Sequence, residues 1–158
     1  MRINVRKANQ KDAVSIVEMN KAIALETESL ILQENVITSG VLNCLEDDKK
    51  GMYFVAENDG VIVGQLMFTF EWSDWRNGWI WWIQSVYVNP QYRGMGVFKS
   101  LFEHVEMLAL SRSDVVALRL YVEINNISAK EVYKKMGMYH AGYEVYQKDT
   151  NSKSGFKN

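Results

Sequence analysis

The feature that most constrains this chain is a junction just past its midpoint. A β-branched and aromatic run, Trp79–Val88, passes through the only proline, Pro90, into Arg93-Gly94-Met95-Gly96 and then straight into a helical pattern, Val97–Ser111. The pattern carries Leu101, Phe102, Val105 and Leu108 on one side, so it reads as a helix with one face against a core. No Ser, Thr, Asp or Asn caps its first residues, and their N–H groups are left without a side-chain partner. Orphan N–H groups at the positive end of a helix attract an anion, and glycines let the backbone approach a diphosphate with no Cβ in the way. The junction therefore predicts a bound pyrophosphate, although two glycines also serve simply to turn a strand into a helix.

The flanking segments alternate between strand-like and helix-like patterns without a linker or a repeat. Ile3–Arg6 reads as a short strand, and Ala13, Ile16, Val17, Met19 and Ile23 recur at helical spacing. A second helix is expected over Ser39–Glu46, where Val41, Leu42 and Leu45 share a face, and Asp47–Lys50 reads as a solvated exit turn. Met52–Glu57 and Val61–Phe70 flank Asn58-Asp59-Gly60, a sequence that tolerates the positive φ of a tight hairpin. A strand over Val115–Glu123, a helix over Ser128–Met136 and strand material over Met138–Gln147 follow, with a Lys/Ser/Asn-rich tail, 149–158, expected to be disordered. At 158 residues and 47% hydrophobic, the chain suits one domain, spanning 1–148.

Composition excludes several function classes. Eighteen basic against nineteen acidic residues leave no general basic field for nucleic acid. One cysteine, Cys44, and two distant histidines, His104 and His140, supply neither a disulfide nor a local metal motif, so no metal is expected. No apolar run approaches the roughly 20 residues that span a bilayer, and the N-terminus has no signal-peptide core. A cytoplasmic protein without membrane or nucleic-acid partners is expected. Val97-Phe98 after the last glycine rejects a phosphate-binding loop of the G-x-x-x-x-G-K-[ST] type, and Lys99 at the third glycine position argues against a dinucleotide fingerprint.

Gln91-Tyr92-Arg93-Gly94-Met95-Gly96 resembles the Q/R-x-x-G-x-G/A motif of the GNAT superfamily of N-acetyltransferases. Leu120–Ala129, followed by Tyr133 and Lys135-Met136-Gly137-Met138, is similar to that family's strand, N-x-x-A, Tyr and G-F block. The resemblance implies a mixed α/β fold around a twisted, mostly antiparallel sheet in the order β-α-α-β-β-β-α-β-α-β-β. In it, the strands ending near Val88 and Glu123 are parallel and splayed.

It also implies acetyl-coenzyme A as the acetyl donor. Backbone N–H groups of Arg93, Gly94, Met95, Gly96, Val97, Phe98 and Lys99 would cradle the pyrophosphate. The strand edge at Val86 and Val88 would pair with the pantetheine arm, and the Val86 donor would polarise the thioester carbonyl. Asn126 would hydrogen-bond a pantetheine amide beside Ser128; read without the resemblance, Asn126 is a turn residue ahead of a Ser128/Glu131 capping box. Tyr133 is the implied general acid for the departing thiolate, and core packing is the alternative use of its helix position. Many relatives place a glutamate base where this chain has Gln84, an amide that cannot serve as one, and Glu123 is the substitute candidate.

The acceptor is the least constrained part. Trp79, Trp81, Ile83 and Ser85 share one face of the strand, and Ile80, Trp82, Gln84 and Val86 the other. The aromatics from Trp72 to Trp82 line either an amine pocket or a core. Glu26 and Glu28 fall where relatives contact acceptors, and Glu26, Trp82 and Gln84 are the substrate candidates. The expected reaction is direct attack by a primary amine of a small molecule on acetyl-coenzyme A, through a tetrahedral intermediate. The alternatives are a non-catalytic acetyl-coenzyme A sensor or partner-binding module, and an acetyltransferase for protein or peptide amines. A homodimer through an edge strand is compatible with either.

Overall fold

The computed structural model describes residues 1–151. It divides into two units, Met1–Leu120 and Tyr121–Asn158. In chain order the first unit holds β1 (Ile3–Lys7), α1 (Ala13–Glu28), α2 (Glu34–Glu46), β2 (Met52–Asn58), β3 (Val61–Ser73), β4 (Gly78–Val88), α3 (Val97–Leu110) and β5 (Val115–Leu120). The second unit holds α4 (Ile127–Lys135). Short 3-10 turns at Gln10–Asp12 and Pro90–Tyr92 lead into α1 and the glycine segment.

The five strands form one sheet in the order β1-β2-β3-β4-β5. The β1–β2, β2–β3 and β3–β4 neighbours are antiparallel, and β4 and β5 are parallel. The expected hairpin joins β2 to β3: Asp59 (φ 50°) and Gly60 (φ 79°) are both left-handed, the pairing whose twist matches the flanking strands. Period-2 alternation then sorts the side chains. Tyr53 and Val55 join Ile16, Val17, Val41 and Cys44 in the core under α1 and α2. Phe54, between them in sequence, points the other way and meets His104 of α3, with ring centroids 5.1 Å apart. Helix α2 starts five residues ahead of the expected Ser39 because Ile37 extends its apolar stripe onto that core.

The α3 face is an aromatic stack. Phe68 lies parallel to Phe54 at 5.8 Å and to Trp81 at 4.3 Å, and Phe70 sets its edge against Trp79 and Trp81. Trp72 packs edge-on to Trp79 at 5.1 Å, so the tryptophan crowding is chiefly core and strand-pair packing, with Trp75 alone fully out on the β3–β4 turn. Beneath the stack, α3 buries Val97, Leu101, Phe102, Val105 and Ala109. Each of the larger ones contributes about 1.5–3 kcal/mol of burial. That burial fixes where the helix N-terminus sits.

One irregularity interrupts β3–β4. Met67 pairs with Gln84 but Gln65 pairs with Tyr87, so β4 spends Ser85 and Val86 where β3 spends only Leu66. Ser85 takes φ 50° to do so, a left-handed conformation uncommon outside glycine. The extra residue resets the alternation. Tyr87, and not Val86, therefore follows Gln84 on the α1 side, which corrects the uninterrupted face expected from sequence.

The parallel pairing expected of the strands near Val88 and Glu123 is present, but β5 ends at Leu120. The final two strands are not. Met138–Gln147 forms no strand: Gly142 turns left-handed at φ 82°, its N–H donates to His140 Nδ1 at 3.2 Å, and Tyr139, Tyr143, Val145 and Tyr146 stay exposed. Strands exist only as paired ladders, and a local turn in the middle of the run breaks the period on which the expectation rested. Residues 152–158 of the expected tail lie outside the described residues.

Gly64 of β3 is the contact point between sheet and α3. A Cβ there would lie 2.9 Å from Val97 Cγ1 and 3.0 Å from the Tyr87 carbonyl oxygen. Gly64→Ala should therefore push the first turn of α3 outward and lower stability by about 1–3 kcal/mol, measurable as a fall in Tm. An unchanged Tm would show that the helix end can shift without cost.

Candidate functional site

The glycine segment is built from turn chemistry. The Asn89 side chain accepts from Gln91 N–H at 3.2 Å and starts the Pro90–Tyr92 turn, whose carbonyls also accept from Arg93 N–H (to Pro90 O, 3.3 Å) and Met95 N–H (to Tyr92 O, 3.4 Å). Gly94 and Gly96 then turn left-handed, at φ 76° and 83°, and a Cβ on either would meet nothing within 4 Å. Their glycine requirement is conformational, and the space in front of them is open. No side chain caps α3 at Gly96, and the first helical bond is Ser100 N–H to Gly96 O at 2.9 Å. The N–H groups of the first turn have no acceptor within the helix and point out of its positive end. Arg93 and Met95 N–H are thus partly engaged in the turn, and the outward-facing donors begin at Gly94 and Gly96.

Strand β4 supplies a second element. Its register with β5 runs only from Trp79–Val115 to Ile83–Leu120, so Gln84–Val88 have no ladder partner on that side among the described residues. Five residues of strand edge are left beside the glycine segment. The bulge at Ser85 lies within them. This is the splay expected of the parallel pair, and an extended polar chain with amides can add to such an edge as a further strand would.

A cleft in the first unit is lined by Ile23, Glu26, Thr27, Val86, Tyr87, Val88 and Arg93. It brings together four of the expected residues: Glu26, Val86, Val88 and Arg93. Arg93 spans it, donating through Nε to the Val88 carbonyl at 3.0 Å and through Nη2 to Glu26 Oε2 at 2.7 Å, with its guanidinium over the Tyr87 ring at 5.5 Å. Glu26, expected to meet a substrate, is thus held by an arginine at the cleft's edge. Burial raises the Tyr87 pKa, with the negative charge of Glu26 adding to it. Tyr87, Ile23 and Thr27 were missed from sequence because Tyr87 reaches this side only through the bulge.

The other candidates of the first unit lie before the bulge. Gln84 Nε2 donates to Thr69 Oγ1 at 2.5 Å, and the Arg119 guanidinium sits over the Trp82 ring at 5.8 Å while reaching Glu71 at 3.3 Å.

In the second unit, Asn126 caps α4: its Oδ1 accepts from Ala129 N–H at 3.0 Å, so the cap is Asn126 and not Ser128, which sits exposed in the first turn. The Asn126 carboxamide still has its N–H2 group as a donor. Glu123 places its carboxylate on Asn125, accepting from the backbone N–H at 2.9 Å and from Nδ2 at 3.3 Å, a turn-forming role. Tyr133 is partly buried, and burial raises its pKa, which favours the protonated phenol. Gly137 (φ 83°) ends the helix, and Met138 N–H returns to the Tyr133 carbonyl at 3.0 Å, locking the backbone that carries the phenol.

Among known proteins the chain is similar to a streptothricin acetyltransferase of Escherichia coli, 29% identical over 101 residues, 64% of this chain and 55% of that enzyme. The chain spans about half the length of the curated relatives it matches. A crystal structure of a possible acetyltransferase from Clostridium difficile 630 superposes with a TM-score of 0.88 at 40% identity, covering 96% of this chain and 99% of that one. A Clostridium acetobutylicum structure described as a predicted acetyltransferase with acetyl-CoA shares the fold, with a TM-score of 0.76 at 21% identity over 93% of this chain and 96% of that one. The model of the acetyltransferase (GNAT) family matches residues 18–138. The chain belongs to the GNAT acetyltransferase family.

Proposed function

We propose that this protein transfers an acetyl group from acetyl-coenzyme A to a primary amine of a small molecule. The observation that carries the reading is the placement, in one unit, of an uncapped helix N-terminus behind two left-handed glycines beside five residues of unpaired strand edge. A diphosphate joined to an extended amide-bearing arm fits that pair of elements, and acetyl-coenzyme A has this form. The relative with streptothricin in its name and the fold relative described with acetyl-CoA support the choice of chemistry.

Bound there, acetyl-coenzyme A would supply a thioester whose C–S bond breaks as the C–N bond to the amine forms. Gly94, Gly96 and the first turn of α3 hold the phosphates, and the β4 edge at Val86 and Val88 holds the arm. The Val86 N–H donates to the thioester oxygen, where negative charge develops. Asn126 offers its N–H2 group to a carbonyl of the arm, beside Ser128. Tyr133 gives its proton to the leaving sulfur, and its raised pKa keeps that proton in place at neutral pH. With Gln84 bonded to Thr69 and the Glu123 carboxylate bonded to Asn125, the amine proton leaves to water. Of the acceptor candidates, Trp82 already meets the Arg119 guanidinium and Glu26 that of Arg93, so they would contact the acceptor chiefly as polar and apolar surface and not by drawing a cation.

Tyr133→Phe should lower kcat by about 10²–10⁴-fold while the Kd for coenzyme A stays within about twofold, measured by thiol release and calorimetry. Unchanged turnover would remove Tyr133 from the chemistry. With wild-type protein, rate should climb as the amine deprotonates and show no alkaline decline just above neutral pH, because burial moves the phenol upward. A decline near pH 8 would point to another acid. Gly96→Ala, which forces a Cβ into the left-handed region at a cost of about 1–2 kcal/mol, should weaken coenzyme A binding about 5–30-fold. Full affinity in that variant would place the phosphates elsewhere.

A further inference from the structure

Directly under the bulge of β4 lies a polar network that no step above uses. Gln65 is fully buried in the middle of β3, and its Nε2 donates both to the Ser85 carbonyl at 3.1 Å and to Asn20 Oδ1 at 3.2 Å. Asn20 is itself buried on α1 and donates through Nδ2 to the Tyr53 hydroxyl at 3.1 Å. The carboxamide orientation is set by its partner, since a backbone carbonyl only accepts. Gln65 Oε1 has no hydrogen-bond partner and is out of contact with solvent. A buried glutamine with one end unsatisfied is costly, and an apolar residue would pack this strand more cheaply. Something other than packing therefore favours the amide here.

The Ser85 carbonyl belongs to the same peptide plane as the Val86 N–H. This peptide is trans, so the two groups point in opposite directions. A donor on β3 that holds the Ser85 oxygen turns the Val86 N–H away from β3, toward the edge of β4 that β5 leaves unpaired. Without that hold, the two-for-one register at Leu66 leaves this peptide outside the ladder and able to rotate. We infer that Gln65, braced by Asn20, is a positioning residue that aims the Val86 N–H at the acyl oxygen of a bound acetyl thioester. The inference rests on the proposed acetyl-coenzyme A reading and specifies how that site polarises its substrate.

The test uses acetyl-coenzyme A labelled with ¹³C at the acetyl carbonyl, observed by infrared difference spectroscopy on the full chain, with coenzyme A affinity measured in parallel by calorimetry. In wild-type protein the bound thioester carbonyl should move to lower wavenumber than in water. Gln65→Met, which keeps length and removes both donors, should abolish that shift, hold the coenzyme A Kd within about twofold and lower turnover about 10–100-fold, less than the full loss of an oxyanion donor. Asn20→Ala serves as the second variant should Gln65→Met fail to fold, and should reduce the shift. A shift retained in both folded variants overturns the inference, as does a wild-type complex that binds acetyl-coenzyme A with no shift. Absence of acetyl-coenzyme A binding by the wild-type chain is a different result, which removes the proposed function itself.

Discussion

The two-for-one exchange of Ser85 and Val86 against Leu66 is the constraint on which the rest of the site depends. A regular β4 would keep its alternation and leave Tyr87 on the α3 side, where Gly64, Val97 and Leu101 already fill the space. With the extra residue, Tyr87 crosses to the α1 side and joins Glu26 and Arg93 at the cleft. The same residue takes one peptide out of the ladder at the point where β5 stops pairing. A left-handed serine is strained by about 1–3 kcal/mol, and such strain persists only where the surroundings over-determine it. Here they do so from both directions: the Phe68–Trp81 stack fixes the strand before the bulge, and Asn89 N–H to Val63 O at 2.9 Å fixes it after.

Rigidity of the flanks is what would make the glycine segment usable as the proposed binding surface. Helix α3 has one heavily buried face, and Val97, the first helical residue, is part of it. The donors at the helix start are therefore held by core packing and not by the loop that precedes them. Gly94 and Gly96 carry no packing duty, since nothing lies within 4 Å of where their Cβ atoms would be. The division assigns stability to α3 and conformational freedom to the loop, so a ligand bound as proposed would meet preformed donors without having to order the helix.

Much of this was legible in the sequence because it rests on local chemistry. The Asn58-Asp59-Gly60 turn, the uncapped start at Val97 and the paired glycines each follow from backbone preferences of the residues concerned. The parallel, splayed strands came from the resemblance, and the register bears them out as far as Ile83–Leu120. What was not legible depends on distant partners. Nothing in Trp82-Ile83-Gln84-Ser85-Val86 marks a bulge, since serine is an ordinary strand residue and only the neighbouring strand forces its conformation. Gln65 in Val61–Phe70 was the available signal: a single amide inside an apolar run needs a buried partner, and Asn20 on the apolar side of α1 is a second. Strand material over Met138–Gln147 failed for the opposite reason. Its tyrosines and valine have strand propensity, but propensity without a neighbouring ladder does not make a strand.

The carboxylates of the candidate site lead to the last step. Glu26 is held by Arg93 and Glu123 by Asn125, so both of these carboxylates are already engaged by the chain itself. Gln84, at the position where a base would be most direct, donates to Thr69 and has no proton affinity near neutrality. Glu26 is also about half exposed in an ion pair, a setting in which its attraction for a cation is modest. For the proposed transfer to an amine, a site with this distribution would gain little by charge from an ammonium ion and would not need to strip it inside the protein. Under the proposed function it suits an amine that arrives neutral from the fraction present in water, with the acyl side left to the Val86 N–H, whose peptide Gln65 holds from within the core.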